Sequence, residues 1–284
     1  MKILTLNTHS LIEENYSQKL ADFVSAIAEI QPEIIALQES NQTDEKSPVK
    51  TELTGYVPCT ENAVIHSDNH VYSISQKLLK RGVKYFWTWL PMKNGYIKYD
   101  EGIAVMSRSP ILETKVFTVS SIDNYSNWKT RRIVGIRTEA LPDEWFFSVH
   151  YGWWDDKEEP FREQWSRTNE FISELKENSV WLMGDFNNPA EVRGEGYDLI
   201  KQSEPYEWYD SYDIASKKDS GITVEKAIDG WKDKITSTQG MRIDQIWCRK
   251  KADIISSEVI FNGKNYPVVS DHFGVIINYN RRHV

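Results

Sequence analysis

In Val180-Trp181-Leu182-Met183-Gly184-Asp185-Phe186-Asn187-Asn188-Pro189, an apolar run of strand length breaks off at a glycine and gives way to two polar residues that could do chemistry. A run that is apolar at every position, rather than at every second one, suits a strand covered on both faces. Gly184 permits a tight turn, and Asp185 and Asn187, two positions apart, can point the same way. The same residues also form an ordinary Asx-turn at the end of a strand.

The design recurs along the chain. Ile3-Leu4-Thr5-Leu6 leads to Asn7, Ile34-Ile35-Ala36-Leu37 to Gln38-Glu39, Trp145-Phe146-Phe147-Ser148-Val149 to His150, and Pro267-Val268-Val269 to Ser270-Asp271-His272. Strands buried on both faces predict sheets covered by other layers, with the polar residues gathered at one rim. Between them, Leu20, Phe23, Val24, Ile27 and Ile30 recur at helical spacing behind Ser17 as N-cap, and Pro32 marks the stop. A second helix is expected from about 162 to 177 behind Pro160, with Trp165, Ile172 and Leu175 on one side. The 40s, 60s, 120s and 188–240 read as loops. No repeat or linker divides the chain, which predicts a single domain over residues 1–284 in an α/β sandwich.

Composition sets the class. With 40% hydrophobic and 27% charged residues, the 284-residue chain has ample material for a large core. A net charge of -8 argues against a partner held by clustered Lys and Arg, and so against nucleic acid. Two cysteines, Cys59 and Cys248, and an N-terminus without a signal-like apolar stretch fit a reduced, cytoplasmic setting. No run approaches a membrane span.

Hydrolysis of a phosphate ester needs a cation for the phosphoryl oxygens, a base for the water, and donors for the charge of the transition state. The strand ends offer all three. Glu39 is a hard oxygen ligand suited to Mg²⁺. Asp185 can take a proton from water and Asn187 can donate to a phosphoryl oxygen. Asp244 lies in the apolar stretch Arg242-Ile243-Asp244-Gln245-Ile246-Trp247, where an unpaired charge is costly, which makes it a partner for His272. Glu101, at the start of another apolar strand, is the corresponding partner for His150.

Taken in order, Leu6-Asn7-Thr8, Gln38-Glu39, Gly102 to Arg108, Ser148-Val149-His150, Gly184 to Asn187, Arg242-Ile243-Asp244 and Ser270-Asp271-His272 resemble the endonuclease/exonuclease/phosphatase superfamily, with its deoxyribonuclease I-like fold. The resemblance implies a four-layer α/β/β/α sandwich with two central mixed, mainly antiparallel sheets. It implies that Asn7, Glu39 and Asp271 surround a divalent metal, usually Mg²⁺ and sometimes Mn²⁺ or Ca²⁺. Asp185 would activate water, Asn187 would position phosphate, and His150 and His272, oriented by Glu101 and Asp244, would hold phosphoryl oxygens.

The loops bear on the substrate. Trp153 and Trp154 follow His150, and Asp155, Asp156, Glu158 and Glu159 crowd the next positions, a combination that would repel a polyanion and suit a hydroxyl-rich group stacking on aromatics. Asn127-Trp128-Lys129-Thr130-Arg131-Arg132 is the main basic cluster, where Trp128, Lys129 and Arg131 could bind substrate through a terminal phosphate or the charges could form a solvated strand entrance. Asn7 to Ser10, the Gly-Trp-Trp loop, 184–197 and 262–267 resemble the maltose 6'-phosphate phosphatase branch of the superfamily, which implies a phosphorylated disaccharide as substrate. The alternatives are a Mg²⁺-dependent nuclease, a sphingomyelinase-like lipid diesterase and a non-catalytic binding module.

Overall fold

A computed structural model describes residues 1–175, 178–226, 228, 231 and 240–281. In chain order the strands are β1 (Lys2–Asn7), β2 (Ile34–Gln38), β3 (Gln42–Thr43), β4 (Phe86–Gly95), β5 (Tyr99–Ser107), β6 (Ile111–Thr118), β7 (Arg132–Thr138), β8 (Leu141–His150), β9 (Ser179–Asp185), β10 (Tyr209–Asp210), β11 (Lys217–Lys218), β12 (Asp244–Cys248), β13 (Asp253–Ile260) and β14 (Gly274–Asn280). The helices are α1 (Tyr16–Ile30), α2 (His70–Lys80), α3 (Phe161–Ser173), α4 (Gly196–Lys201) and α5 (Ser211–Ile214).

An eight-stranded sheet runs β11-β13-β14-β1-β2-β5-β3, with β4 also on β5, and a six-stranded sheet runs β10-β12-β9-β8-β7-β6. Both are mixed and mainly antiparallel: β1–β2, β11–β13 and β8–β9 are the parallel pairs. The alternation of side chains explains why the strands are apolar throughout. Ile3, Ile34, Ala36, Trp181 and Met183 point between the sheets, into a core shared with Val134, Phe146 and Ile246. Their neighbours Leu4, Leu6, Ile35 and Leu37 pack outward against Leu20, Phe23 and Ile27 of α1 and Val71, Ile74 and Leu78 of α2. On the other side, Phe147, Val149, Val180 and Leu182 meet Trp165 and Ile172 of α3 and Ile200 of α4. The result is the expected four layers. Full burial of each such Leu, Ile or Phe side chain contributes roughly 1.5–3 kcal/mol.

Three local expectations are corrected. Helix α1 begins before Ser17: Asn15, in the left-handed region with φ 56°, is the cap, and its carbonyl accepts from Gln18 and Lys19. Pro267-Val268-Val269 is not a strand; Val268 is exposed, and β14 begins only at Gly274. Because β14 runs antiparallel to β1, its start lies at the rim where β1 ends, so 270–272 reach that rim from the opposite direction. Helices α4 and α5 form within 188–240, where loop was expected; helix α2, over a stretch that carried no expectation, is capped by Asn69, whose side chain accepts from the Tyr72 amide at 3.0 Å. Helix α3 begins behind Pro160 as expected but ends at Ser173; residues 176 and 177 of its expected span, and most of 227–239 in the expected loop, lie outside the described residues. Among the described residues, no helix is long and apolar enough to cross a membrane.

Candidate active site

Topology gathers the polar residues. The parallel pairs β1–β2 and β8–β9 end at one rim, and β5, β12 and β14, antiparallel to their neighbours, begin there. In the ladders His150 and Asp244 both lie opposite Asp185. Gly184 makes the approach possible, since a Cβ there would sit 2.0 Å from the Val149 carbonyl and 2.9 Å from Gln38 Nε2. Gln38 is a brace that sequence reasoning did not assign: its Nε2 donates to Ser148 Oγ at 2.9 Å, and that hydroxyl donates back to the Leu37 carbonyl, tying the two sheets beneath the rim.

Above this brace lies a cavity of about 340 Å³, the size of a small-molecule site. His9, Glu39, Lys93, Glu101, Trp128, Arg131, His150, Trp153, Asp185, Asn187, Asp271 and His272 line it. His9, Glu39 and Asn187 adopt left-handed backbone conformations, at φ 46°, 48° and 48°. For residues other than glycine this costs of order 1–3 kcal/mol each, and it persists where the surroundings enforce it.

Asn7 joins two carboxylates: its Nδ2 donates to Glu39 Oε1 at 2.9 Å and to Asp185 Oδ2 at 3.1 Å. The Asp185-Phe186-Asn187 segment is both things the sequence allowed. The Asn187 amide donates to Asp185 Oδ1 at 2.8 Å in an Asx-turn, and both side chains still face the cavity. Asn187 Nδ2 donates to the Tyr151 carbonyl, and its Oδ1 accepts from Trp231 Nε1 at 2.9 Å, which sets the amide's orientation and leaves one N–H for a ligand.

The two imidazoles flank Asp185 and differ in charge. His272 Nδ1 lies 2.9 Å from Asp244 Oδ2 and its Nε2 4.0 Å from Asp185 Oδ2. Burial disfavours the charged ring, but Asp244 outweighs it and holds the His272 pKa well above the ordinary value. His150 Nε2 is 3.7 Å from Asp185 Oδ2, yet its Nδ1 is buried with no partner. Burial, then the positive charges of Arg131, Lys93 and His272, push its pKa well below the ordinary value. Asp185 is raised, first by burial and then by Asp244, which suits a group that must accept a proton near neutral pH.

Glu101 does not pair with His150. Its Oε1 faces Lys93 Nζ at 3.1 Å, both side chains being buried. Lys93 outcompetes a neutral imidazole because an unpaired buried ammonium is the costlier group. Burial, and the nearby Arg131, lower the Lys93 pKa despite that partner. Lys93, His9 and Glu13 are site residues that sequence reasoning did not single out. Lys93 sits in a strand with no motif around it, whereas His9 stands two residues after Asn7 and was legible as a rim residue.

The loops divide the remaining candidates. Trp128 and Trp153 line the cavity as a tilted pair, 5.8 Å between centroids, and Arg131, 2% exposed, lies beside them with its Nη1 on the Trp128 and Thr130 carbonyls. Trp154 packs against the α3 core with Arg162 over its ring. Lys129 pairs with Asp156 at 2.9 Å and Glu158 at 3.3 Å. Neither Trp154 nor Lys129 lines the cavity. The loop carboxylates expected to face a substrate do not line it either. Glu159 accepts from the amides of Ser121 and Ile122 at 2.9 and 2.8 Å and from the Ser121 hydroxyl, clamping the two loops together. Asp156 is satisfied by the amides of its own turn and the Lys129 ammonium, and Glu159 by the amides of the neighbouring loop, so their charge is spent before it reaches a ligand.

The donor set fits a hard divalent cation. Burial, then Glu101, raise the Glu39 pKa, with Asp271 adding to the shift, so carboxylates crowd one another where a cation between them would relieve the repulsion. Glu39, Asp271 and the amide oxygen of Asn7 are the oxygens that would hold it. A second group, Asp185–Asp244–His272, is fully buried and committed to the His272 pair.

The family model described as Endonuclease/Exonuclease/phosphatase family matches residues 4–272. A search of curated proteins gives no match. Among solved structures, an endonuclease/exonuclease/phosphatase family protein from Leptotrichia buccalis is 31% identical with a TM-score of 0.84, covering 99% of this chain and 100% of that one. The mannosyl-6-phosphatase of Bacteroides thetaiotaomicron is 16% identical (TM-score 0.68; 99% and 100% covered), and a 3' phosphatase from Neisseria bound to product DNA hairpin is 18% identical (TM-score 0.62; 99% and 100%). At those identities the last two share the fold. A rim carrying the ordered motifs and a family match over nearly the whole length place this chain in the endonuclease/exonuclease/phosphatase family, whose members hydrolyse phosphate esters and generally use divalent metal ions.

Proposed function

We propose that the protein is a metal-dependent phosphatase acting on the phosphomonoester of a small sugar, a disaccharide phosphate such as maltose 6'-phosphate being the specific candidate. The observation that carries this reading is the shape of the cavity: buried cations at its base, Arg131 and Lys93 with the charged ring of His272, under a wall made by Trp128 and Trp153. Compact positive charge suits a phosphate dianion, and an aromatic wall suits the apolar face of a sugar ring.

In this reading Asp185 accepts the proton of the attacking water, oriented by Asn7. His272, charged through Asp244, and neutral His150 donate to phosphoryl oxygens from opposite sides of Asp185. Asn187, held by Trp231, adds a neutral donor. A divalent metal, Mg²⁺ or in its place Mn²⁺ or Ca²⁺, held by Glu39, Asn7 and Asp271 would neutralise phosphoryl charge. Glu101 acts here through Lys93, holding that ammonium in the cavity. Cys59 and Cys248 stand as free thiols, which supports the cytoplasmic setting. The substrate named for the Bacteroides protein, a mannosyl phosphate, supports the sugar; the DNA hairpin of the Neisseria structure favours a polynucleotide end instead. At the tip of the β4–β5 hairpin Ile97 is 96% exposed, but Tyr96 and Ile97 are too little apolar surface to hold a lipid bilayer.

The test is phosphate release with Mg²⁺ across mono- and disaccharide phosphates, nucleotides and plasmid DNA. Release from a sugar phosphate is expected, abolished by Asp185→Asn. Nicking of plasmid with no release from any sugar phosphate would replace the phosphatase by a nuclease.

A further inference from the structure

His9 carries a feature that the phosphatase reading leaves unused. Its Nδ1 lies 2.9 Å from Glu13 Oε1, and that carboxylate is itself fixed: Oε1 also accepts from the Asp271 amide at 2.9 Å, and Oε2 from Lys19. A carboxylate on Nδ1 sets the tautomer, with the proton on Nδ1 and the lone pair on Nε2. That Nε2 is buried and has no hydrogen-bond partner, although the residue lines the cavity with Glu39 and Asp271. The backbone places the ring there at a cost, since His9 and Ser10 are both left-handed, at φ 46° and 38°. Asp271 Oδ1 lies 3.9 Å from the same Nδ1, which places the ring beside that carboxylate as well.

We infer that His9 supplies a nitrogen ligand, Nε2, to the metal held by Glu39 and Asp271, with Glu13 as the positioning residue that fixes its tautomer. The inference rests on the metal-dependent reading above and narrows it. An oxygen-only set is neutral between hard divalent ions, whereas an imidazole favours a first-row transition ion such as Mn²⁺ over Mg²⁺.

The probe is Mn²⁺ bound to the full chain, followed by electron spin-echo modulation, which detects a directly bonded ¹⁴N without any turnover. The wild-type protein should show imidazole nitrogen coupling. His9→Asn should lose it, and Glu13→Gln should keep it while weakening Mn²⁺ binding by roughly 10- to 100-fold. His9→Gln serves if the asparagine variant does not fold. Mn²⁺ that binds and is lost in Glu39→Gln, but shows no nitrogen coupling in the wild type, overturns the role of His9 and leaves the metal reading standing. Coupling that persists in both His9 variants also overturns it, since His150 or His272 would then be the source. Absence of Mn²⁺ and Mg²⁺ binding altogether would remove the metal reading and this inference with it.

Discussion

The floor of the cavity and its wall are built by different means. Asn7, His150, Asp185 and Asp244 sit in strands, held by ladders on both sides and by the Gln38–Ser148 brace, and are 5% exposed or less. Trp128 and Trp153 ride on loops joined to each other by Glu159 and by the Lys129–Asp156 pair, and Trp128 is 51% exposed. Groups that must meet a developing charge within tenths of an ångström belong on rigid elements, while recognition of a variable organic group tolerates loops. In the proposed function the floor would carry the reaction and the wall the choice of substrate.

The contrast is broken most severely at Asp185. Asp185→Asn should lower kcat by roughly 100- to 10,000-fold with little change in KM, as for loss of a general base. A change confined to KM, measured by phosphate release, would move Asp185 from floor to wall.

Asp244→Asn should have the next largest effect, about 10- to 100-fold on kcat/KM, the range for losing a residue that orients another. The sign of its pH dependence follows from His272. Burial opposes its charge, but Asp244 raises its folded pKa above the unfolded value, so the pair's stabilisation is present below the unfolded pKa and lost as pH rises through the folded one. In the Asp244→Asn variant the alkaline limb of kcat/KM and of thermal stability should move to lower pH. An unmoved limb would show that Asp244 only fills space.

At the wall, Trp153→Ala should raise KM roughly 3- to 10-fold for a sugar phosphate and much less for p-nitrophenyl phosphate, with kcat nearly kept. Glu159→Gln tests the clamp: it should destabilise the fold by about 1–2 kcal/mol in urea unfolding and raise KM without altering the pH profile. The smallest effects are expected at Lys129→Ala and Trp154→Ala, under about twofold on either kinetic constant, because neither side chain reaches the cavity. A tenfold rise in KM for either would mean that the wall extends beyond Trp128 and Trp153.

The chemistry-bearing rim was legible because burial on both faces writes itself into composition: runs such as Ile34–Leu37 and Val180–Met183 have no polar position, so the first polar residue after each marks where the sheet ends. That determined the layered fold and the positions of Glu39, His150, Asp185 and Asn187, and the costliness of a lone charge among apolar neighbours identified the Asp244 and His272 pair. Helix α2 was also written, in Asn69 and the 3–4 spacing of Val71, Ile74 and Leu78, but so short an amphipathic pattern between loops went unassigned. What only the tertiary structure decided is which charges meet across strands and loops. Whether Glu101 binds His150 or Lys93, and whether Asp156 and Glu159 face a ligand or the loop of Ser121 to Lys129, depends on distances between segments far apart in sequence. Ionic pairing is settled by competition among all charges within a few ångströms, and one-dimensional order carries no record of that neighbourhood.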